Sequence, residues 1–245
     1  MVSKYHKYTE EVIELNSMGK SNAEIGSLLG IDHRRVGDLL RINGLKKAGY
    51  DYGKTKPTPI QHDYFVANAI GDGCIFKSKA NTNYRMSLAH SLKQKDYFLH
   101  KYNAVLDFIN VQYSFVSEYH KVREKVYTCI KYQTKVNPYF TELYGKWYEN
   151  GKKVIKKEYV KEINDRVLAL KYFDDGYKTK SAYYIAMDDY DEESLKVFMK
   201  HLLDNFDIPS NLHKRNRVYI ESKHKDKLTV ILKKYATEDV MYKIL

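Results

Sequence analysis

Apolar residues recur with helical spacing in three short stretches near the start of the chain. The first stretch ends at Gly19, and Ser21 and Glu24 are spaced as a capping box at the start of the second. Gly30 ends the second stretch, and Asp32 is a good N-cap for the third. Three short helices joined by tight turns are typical of a helix-turn-helix unit, although a three-helix packing module shows the same pattern. The apolar positions expected inside this unit are Val12, Ile13, Leu15, Ile25, Leu28, Leu29, Ile31, Val36, Leu39 and Leu40.

The apolar pattern of residues 60–245 occurs twice, about a hundred residues apart. Each copy begins with an apolar helix, followed by two stretches in which apolar and polar residues alternate, as in strands. An amphipathic helix, two further alternating stretches and a final helix follow, so the pattern predicts two αββαββα repeats. In one alternating stretch, Met86 and Leu88 alternate with Arg85 and Ser87. One face of each antiparallel sheet is therefore expected to lie against helices, and the other to be polar and basic. The predicted class is α+β, preceded by the all-α unit.

A polar segment that contains Pro57 and Pro59 separates the two patterns and interrupts the periodicity on both sides. Lys and Arg outnumber Asp and Glu both before and after this segment. The sequence therefore predicts four segments, namely a helix-turn-helix domain over 1–48, a linker over 49–60, a first repeat over 61–150 and a second repeat over 151–245.

The composition of the 245-residue chain points to a nucleic-acid partner. Lys and Arg number 42 and Asp and Glu 31, and the resulting net charge of +11 favours a polyanion. The 24 tyrosines offer flat faces and hydroxyls that suit sugar, phosphate and base contacts.

The cysteine count and the hydropathy pattern exclude several classes of protein. Cys74 and Cys129 are the only cysteines in the sequence, so no disulfide framework is expected. We expect a reducing, intracellular location, in the cytoplasm of a bacterium or phage-infected cell or in an organelle. Because no signal segment and no membrane-spanning run occurs, the secreted and integral-membrane classes are excluded, and the apolar fraction of 43% excludes a disordered chain.

Each repeat opens with an apolar helix that ends in an acidic residue followed by glycine, at Asp72-Gly73 and Asp175-Gly176. Small residues along these helices allow them to pack side by side, so that their C-terminal ends meet and bring the two carboxylates together. Two carboxylates at close range repel unless a cation lies between them, and the negative ends of two helix dipoles add to this repulsion. For either motif alone, the alternative is an ordinary helix end whose acidic residue has no function. The Asp-Gly motif occurs at equivalent positions of both repeats, however, and this favours a functional pair.

Oxygen ligands with no His or Cys nearby favour Mg²⁺ or a similar ion over zinc. The expected ligands are Asp72, Asp175 and main-chain oxygens near Gly71 and Asp174. Such an ion can activate water and neutralise charge on a phosphodiester. The histidines show no metal-ligand spacing and no glycine-rich phosphate loop occurs, so no nucleotide cofactor is expected.

Phe65–Gly73 and Leu168–Gly176 fit the nine-residue signature of the LAGLIDADG homing endonucleases, and the Asp-Asp-Gly ending of the second resembles the monomeric, intron-encoded branch of that family. The resemblance extends to Met241-Tyr-Lys243, which is similar to that branch's C-terminal strand and basic residue. It implies a pseudo-symmetric fold with two saddle-shaped antiparallel sheets. It also implies a monomer that cuts both strands of a long, specific DNA site with Mg²⁺ or Mn²⁺ and so promotes mobility of its own intron or gene.

The sequence departs from this signature at four positions. Asn68 and Lys171 replace apolar residues, and Leu170 replaces a glycine. Asp174 stands where the signature has a small residue, and it either supports the acidic pair or is solvated.

The resemblance assigns catalytic roles to Asp72 and Asp175 and to one lysine in each half, Lys153 and Lys243. A lysine can stabilise developing phosphate charge or polarise the attacking water. The alternative at either position is a surface lysine that is exposed to solvent and has no catalytic role.

The polar strand faces are implied to lie in the DNA major groove. Any single residue of these faces could instead be solvent-exposed surface that contacts no DNA, because a shift of one residue in strand register moves its side chain to the opposite face of the sheet. The expected DNA contacts on the strands are Lys77, Arg85, Lys125, Lys131, Gln133, His213, Arg215, Arg217 and Tyr219. Those on the third N-terminal helix, at positions that reach base edges or phosphates in a helix-turn-helix motif, are His33, Arg34, Arg35 and Arg41.

The sequence favours a DNA endonuclease, and two other functions stay open. A LAGLIDADG core joined to a helix-turn-helix resembles non-cleaving sporulation regulators of the WhiA type, in which the helix-turn-helix lies on the C-terminal side. The second alternative is an intron maturase that binds folded RNA, its own intron being the natural partner. Double-stranded DNA is the main expected partner, and no membrane is expected.

Overall fold

The computed structural model describes residues 5–45, 55–78, 81–109, 111–120 and 124–244. The chain divides into two compact units, Met1–Lys54 and Thr55–Leu245. Of the predicted linker over 49–60, the part up to 54 lies outside the described residues, and Pro59 already begins a helix, so the linker ends earlier than predicted. Within the described ranges, no helix is both long and apolar enough to cross a membrane.

The N-terminal unit contains three short helices. They are α1 (Thr9–Ser17), α2 (Asn22–Leu29) and α3 (His33–Ile42). The predicted capping box at the start of α2 is present. The Ser21 hydroxyl accepts from the main-chain N–H of Glu24, and the main-chain N–H of Ser21 donates to the Glu24 carboxylate. Gly30 ends α2 in the left-handed conformation, and Asp32 caps α3. Local capping chemistry therefore sets these helix ends as the sequence predicted.

The core of the N-terminal unit draws on all three helices. Its buried members are Val12, Ile25, Val36, Leu39 and Leu40. The prediction that Leu28 lies inside is wrong: its side chain is 60% exposed, because a helix this short buries only a narrow stripe. Gly26 allows the chain to pass close to α2, since a Cβ there would lie 2.7 Å from the carbonyl oxygen of Ile31.

The large unit contains the two predicted repeats. The elements of the first are α4 (Pro59–Ile70), β1 (Cys74–Phe76), β2 (Arg85–Ser91), α5 (Lys95–Ala104), β3 (Ser114–His120), β4 (Lys125–Gln133) and α6 (Pro138–Trp147). A hairpin of β5 (Tyr148–Glu149) and β6 (Lys152–Lys153) follows, and the predicted boundary at 150/151 falls in its turn. The elements of the second are α7 (Asp165–Asp175), β7 (Gly176–Lys178), β8 (Ala182–Ala186), α8 (Glu192–Phe206), β9 (Asn211–His213), β10 (Arg217–Glu221) and α9 (Lys225–Lys233).

The two main sheets have the same topology. Their strand orders are β1-β2-β4-β3 and β7-β8-β10-β9, and every pairing is antiparallel. On β2, Met86, Leu88 and His90 are buried and the residues between them are not, so the predicted alternation is confirmed. The α+β class and the repeated αββαββα order are confirmed with it.

Helices α4 and α7 form the centre of the large unit and run side by side in the same direction. Near their N-terminal ends, Asp63 accepts from Asn164 (2.8 Å) and from Arg166 (2.7 Å). At their C-terminal ends, the main-chain N–H of Asp72 donates to the Asp174 carboxylate (3.0 Å). About two thirds of the residues of these two helices are buried, as expected of largely apolar helices at the centre of a unit.

The C-terminal segment differs from the prediction. Met241 and Lys243, expected in a strand, lie in a 3₁₀ helix over Glu238–Lys243. This turn is held by Asp239, whose carboxylate accepts from the first N–H groups of α5, at Asp96 and Tyr97. The segment is held at this helix end, and none of its described residues pairs with a strand.

Candidate active site

The motif aspartates lie where α4 and α7 end, side by side. Asp72 follows the last turn of α4 and its side chain is 37% exposed, while Asp175 is the last residue of α7 and its side chain is 27% exposed. Burial raises the pKa of the Asp175 carboxyl; Lys171 lowers it, and the charges of Asp174 and Asp72 raise it. The two motif carboxylates are thus near enough for the charge of Asp72 to act on Asp175.

The residues that precede the motif aspartates are complementary. Gly71 precedes Asp72, and Asp174 precedes Asp175. A Cβ on Gly71 would collide with the Asp174 carboxylate, which accepts the main-chain N–H of Asp72. Glycine in the first motif therefore makes room for a large acidic residue in the second.

Asp174 is fully buried, and of the two roles open from the sequence it has the supporting one. Its carboxylate accepts from Lys101 Nζ at 2.8 and 3.0 Å and from the Tyr97 hydroxyl at 2.8 Å. Burial alone would raise the pKa of the Asp174 carboxyl, but Lys101, His90 and its hydrogen bonds lower it to about 2. Asp174 is thus a buried anion that joins α5 of the first repeat to α7 of the second.

His90, like Tyr97 and Lys101, is a residue of this site that the sequence analysis missed. Its Nδ1 lies 3.3 Å from an Asp72 carboxylate oxygen and its Nε2 lies 3.8 Å from Asp174, and its side chain is 1% exposed. Potential ligand atoms of Asp72, His90 and Asp174 all lie within 4.8 Å of one another. The expectation that no histidine lies near the acidic pair is therefore wrong. The alternation of β2, which places His90 on the same face as Met86 and Leu88, could have found it.

The two lysines occupy equivalent places. Lys153 Nζ donates to the carbonyl of Gly71, directly before Asp72. Lys243 Nζ donates to the carbonyls of Phe173 (2.5 Å) and Asp174 (3.2 Å), directly before Asp175. Burial lowers the pKa of both ammonium groups, while the nearby acids raise it. The main-chain oxygens predicted as metal ligands are thus the acceptors of these lysines.

Lys171, which replaces an apolar residue of the signature, is buried in the protein. Its side chain is 2% exposed and its Nζ lies 2.6 Å from the Asp175 carboxylate, one helical turn away. Asn68, at the equivalent position of α4, donates to the hydroxyl of Tyr132 (3.2 Å). Both departures are accommodated by polar partners inside the core.

The polar face of the second sheet carries a cluster of aromatic rings. His213 pairs with Arg217 and Tyr219 pairs with Tyr184 in the strand register, which places them on one face. Tyr184 stacks on Tyr177 at 5.0 Å and contacts Tyr219 at 5.1 Å between ring centroids. The high tyrosine count was the only indication of Tyr177 and Tyr184 in the sequence. This face offers flat surfaces and donors suited to a nucleic acid.

The other predicted strand contacts fall into two groups. Those on strand faces away from the helices are Arg85, Lys125, Lys131, Gln133, His213, Arg217 and Tyr219. Arg215 is not on a strand: it lies in the β9–β10 turn with a φ of 60°, so its predicted place on the strand face is wrong. Lys77 follows the end of β1, with its Nζ 5.4 Å from the centre of the Tyr84 ring.

The predicted recognition residues of the N-terminal unit are all exposed on α3. Arg34 pairs with the N-cap Asp32 at 3.0 Å. Arg35 and Arg41 both pair with Asp38, at 3.5 and 3.0 Å. These pairs are solvent-exposed, so a phosphate can replace the carboxylates at small cost.

Comparison with known proteins identifies the family. The model of the LAGLIDADG DNA endonuclease family matches residues 69–228. The chain is similar to the cytochrome b mRNA maturase bI2 of Debaryomyces hansenii, with 26% identity over 189 residues, which cover 74% of this chain and 72% of the maturase.

A solved structure shows the same fold. The homing endonuclease I-WcaI, bound to its DNA recognition sequence, is similar with a TM-score of 0.73 and 24% identity over 85% of this chain and 96% of that one. The N-terminal LAGLIDADG domain of DUF199/WhiA is a more distant match, with a TM-score of 0.44 and 15% identity over 76% of this chain and 88% of that one. The family model spans more than half of the sequence, and the chain belongs to the LAGLIDADG DNA endonuclease family.

Proposed function

We propose that this protein is a site-specific DNA endonuclease of the homing type, which cuts both strands of a long recognition site and so promotes mobility of its own intron or gene. One observation carries the proposal. Each motif aspartate, Asp72 and Asp175, follows a carbonyl that accepts a hydrogen bond from a lysine, half-buried Lys153 or buried Lys243. Two such sets at the ends of two parallel helices suit the cleavage of two antiparallel strands.

A divalent cation fits the donor atoms at the helix ends. The Asp72 and Asp175 carboxylates are hard oxygen ligands of the kind that Mg²⁺ and Mn²⁺ prefer. The main-chain oxygens of Gly71 and Asp174 already accept from Lys153 and Lys243, so each would offer an ion its second lone pair. When bound, the ion would neutralise phosphate charge and activate water.

The half-buried Lys153 and the buried Lys243 supply the remaining chemistry. Because burial lowers the pKa of Lys153 and Lys243, each ammonium group gives up a proton more readily than an exposed lysine does. Each is therefore suited to orient a water molecule, or to move a proton to or from an oxygen of the phosphodiester. In its charged form each also stabilises the extra negative charge that develops on the phosphate.

We propose double-stranded DNA as the partner of both sheets. The basic and aromatic residues on the faces away from the helices would contact the major groove, and α3 of the N-terminal unit would add contacts beyond that footprint. Two tethered DNA-binding units gain affinity through effective concentration. Since both motifs lie on one chain, a monomer supplies the complete site.

A maturase is the second candidate, favoured by the similarity to the bI2 maturase. A protein of this kind would bind its own folded intron RNA, and it would not require the two motif aspartates for that binding. Its basic surface suits either nucleic acid, so the distinction has to come from activity.

Selection of cleaved sites from a host-genome or randomised DNA library with Mg²⁺ tests the proposal. We expect defined double-strand breaks with the native protein and none with Asp72→Asn or Asp175→Asn, whereas specific DNA binding in Ca²⁺ persists because the carboxylates do not read sequence. Asp204→Asn, the same change at a lysine-paired carboxylate of α8, should cut like the native protein. Full cleavage by the Asp72→Asn/Asp175→Asn double variant would refute the assignment. Intron RNA binding without any DNA cleavage would favour the maturase.

A further inference from the structure

The two motif aspartates differ in the cationic groups that contact them. The Asp72 carboxylate lies 3.3 Å from His90 and, in the described part of the chain, pairs with no lysine or arginine. The Asp175 carboxylate accepts a 2.6 Å hydrogen bond from Lys171. One of the two carboxylates therefore already has a full positive charge in contact with it.

The difference arises from one position of the motif. Lys171 stands in α7 where Asn68 stands in α4. The Asn68 amide is neutral and donates to Tyr132, so it balances no carboxylate. The asymmetry between the two halves is thus one of charge and not only of shape.

Among the described residues, Asp175 is the carboxylate with which Lys171 forms an ion pair. The Lys171 side chain is 2% exposed, and its Nζ lies 5.2 Å from the centre of the Tyr190 ring, whose hydroxyl donates to the Ile70 carbonyl (2.7 Å). An ammonium group that loses its partner in such a place is strongly destabilised. A divalent cation at Asp175 must therefore either separate this pair or bind beside a positive charge.

Resting on the proposed nuclease function, we propose that Lys171 makes the Asp175 side the weaker of the two divalent-cation sites, so that the two DNA strands are cut in order. The strand whose cleavage depends on Asp72 is cut first, and the strand that depends on Asp175 is cut second. When the cation is scarce, a nicked duplex accumulates.

Mn²⁺ binding tests the inference without any requirement for catalysis. The full chain is titrated with Mn²⁺ alone, and free Mn²⁺ is measured by electron paramagnetic resonance. We expect Asp175→Asn, which keeps the Asp72 side, to bind Mn²⁺ more tightly than Asp72→Asn does. Adding Lys171→Met to Asp72→Asn should raise its affinity by about tenfold or more, because a unit charge next to the site is removed.

The matched control is Lys196→Met in the Asp72→Asn background. Lys196 pairs with Glu192 at the same spacing and the same 2.6 Å distance, but on the exposed surface of α8. We expect no change in Mn²⁺ affinity there. Lys171→Gln guards against a packing defect, and it should act in the same direction as Lys171→Met. Equal affinities of the two Asn variants, or no gain from either Lys171 variant, would overturn the inference.

Strand-resolved cleavage of an end-labelled target at limiting Mg²⁺ is the second readout. The native protein should accumulate a nicked intermediate, and Lys171→Met should bring the two strand rates closer together. If both strands are cut at equal rates by the native protein and by Lys171→Met, the inference fails while the nuclease stands. If nothing is cut but the Mn²⁺ affinities follow the expected order, the nuclease proposal fails while the difference between the cation sites stands.

Discussion

Replacement of Lys101 by methionine tests the buried ion pair that joins the two repeats. Lys101 and Asp174 are both completely buried, with N–O distances of 2.8 and 3.0 Å. Methionine keeps the length of the side chain but leaves the Asp174 carboxylate without its cation. Removal of one partner of a buried pair costs about 3–5 kcal/mol, so the free energy of unfolding of the large unit should fall by about that amount.

A double-mutant cycle isolates the pair. Asp174→Asn keeps one oxygen acceptor, although the Asp72 N–H and the Tyr97 hydroxyl donate to different carboxylate oxygens, and it leaves Lys101 uncompensated. The Asp174 pKa is lowered to about 2 although burial raises it, and Lys101 is the largest of the several groups that lower it. Residues of one ion pair couple by about 0.5–3 kcal/mol, so the Lys101→Met/Asp174→Asn double variant should lose about that much less than the sum of the single changes.

Urea unfolding at pH 7 measures the cycle, with the fluorescence of Trp147 as the probe. Trp147 is the only tryptophan in the sequence and is fully buried in the large unit, so its emission reports on the unfolding of that unit. Lys196→Met, at an exposed pair, should change stability by less than about 1 kcal/mol. A coupling below about 0.5 kcal/mol would refute the reasoning, because the two charges would then act independently.

The contribution of Asp174 to the free energy of unfolding depends on pH, and the direction of its pKa shift sets the sign of that dependence. Since the folded pKa of Asp174 is lowered, its ionised form stabilises the native protein fully above pH 3.8, and this contribution is lost as the pH falls towards about 2. In Lys101→Met, burial without the ammonium group raises this pKa, and protonation relieves the buried charge. The destabilisation of the variant should therefore be largest at pH 7 and shrink in acid.

DNA binding, measured by fluorescence anisotropy, should weaken steeply between about 50 and 200 mM salt, because Lys and Arg release counterions from phosphates; a flat binding constant would contradict these contacts. Deletion of residues 1–54 should leave a folded large unit that keeps its cleavage chemistry but protects a shorter DNA stretch. Replacement of both Arg34 and Arg35 by alanine should shorten the protected stretch in the same way. A footprint of unchanged length would show that the N-terminal unit does not touch DNA. Gly26→Ala should destabilise the N-terminal unit by about 1–3 kcal/mol in thermal unfolding, because its Cβ would meet the Ile31 carbonyl at 2.7 Å, whereas Gly145→Ala, with open space around the Cβ, should not destabilise the large unit.

Local and periodic features explain what the sequence could predict. The capping box at Ser21 and Glu24 needs only residues three apart, and the repeated αββαββα order needs only the hydrophobic period. The placement of Asp72 and Asp175 at the ends of two neighbouring helices also follows from the sequence, because equivalent apolar helices must pack together to be buried. These inferences require no knowledge of how distant residues meet.

The rest depends on tertiary contacts. His90 and Lys101 enter the site from β2 and α5, and nothing in their own segments indicates that Asp174 lies opposite them. The misplaced Arg215 has a local cause, since a turn with positive φ interrupts the alternation that put it on a strand face. The C-terminal strand was wrong for a tertiary reason, because Asp239 holds that segment against the start of α5.

Gly71 and Asp174, which precede the two motif aspartates, differ from each other because both repeats lie on one chain and need not be identical. In an arrangement of two identical repeats, the same residue would precede both motif aspartates. Two glycines would leave Lys101 without its buried partner and the Asp72 N–H without its acceptor. Two aspartates would collide, since even a Cβ on Gly71 overlaps the Asp174 carboxylate. The buried anion that joins the repeats therefore requires two different motifs at one interface, and this chain supplies both, as expected of a protein that acts as a monomer.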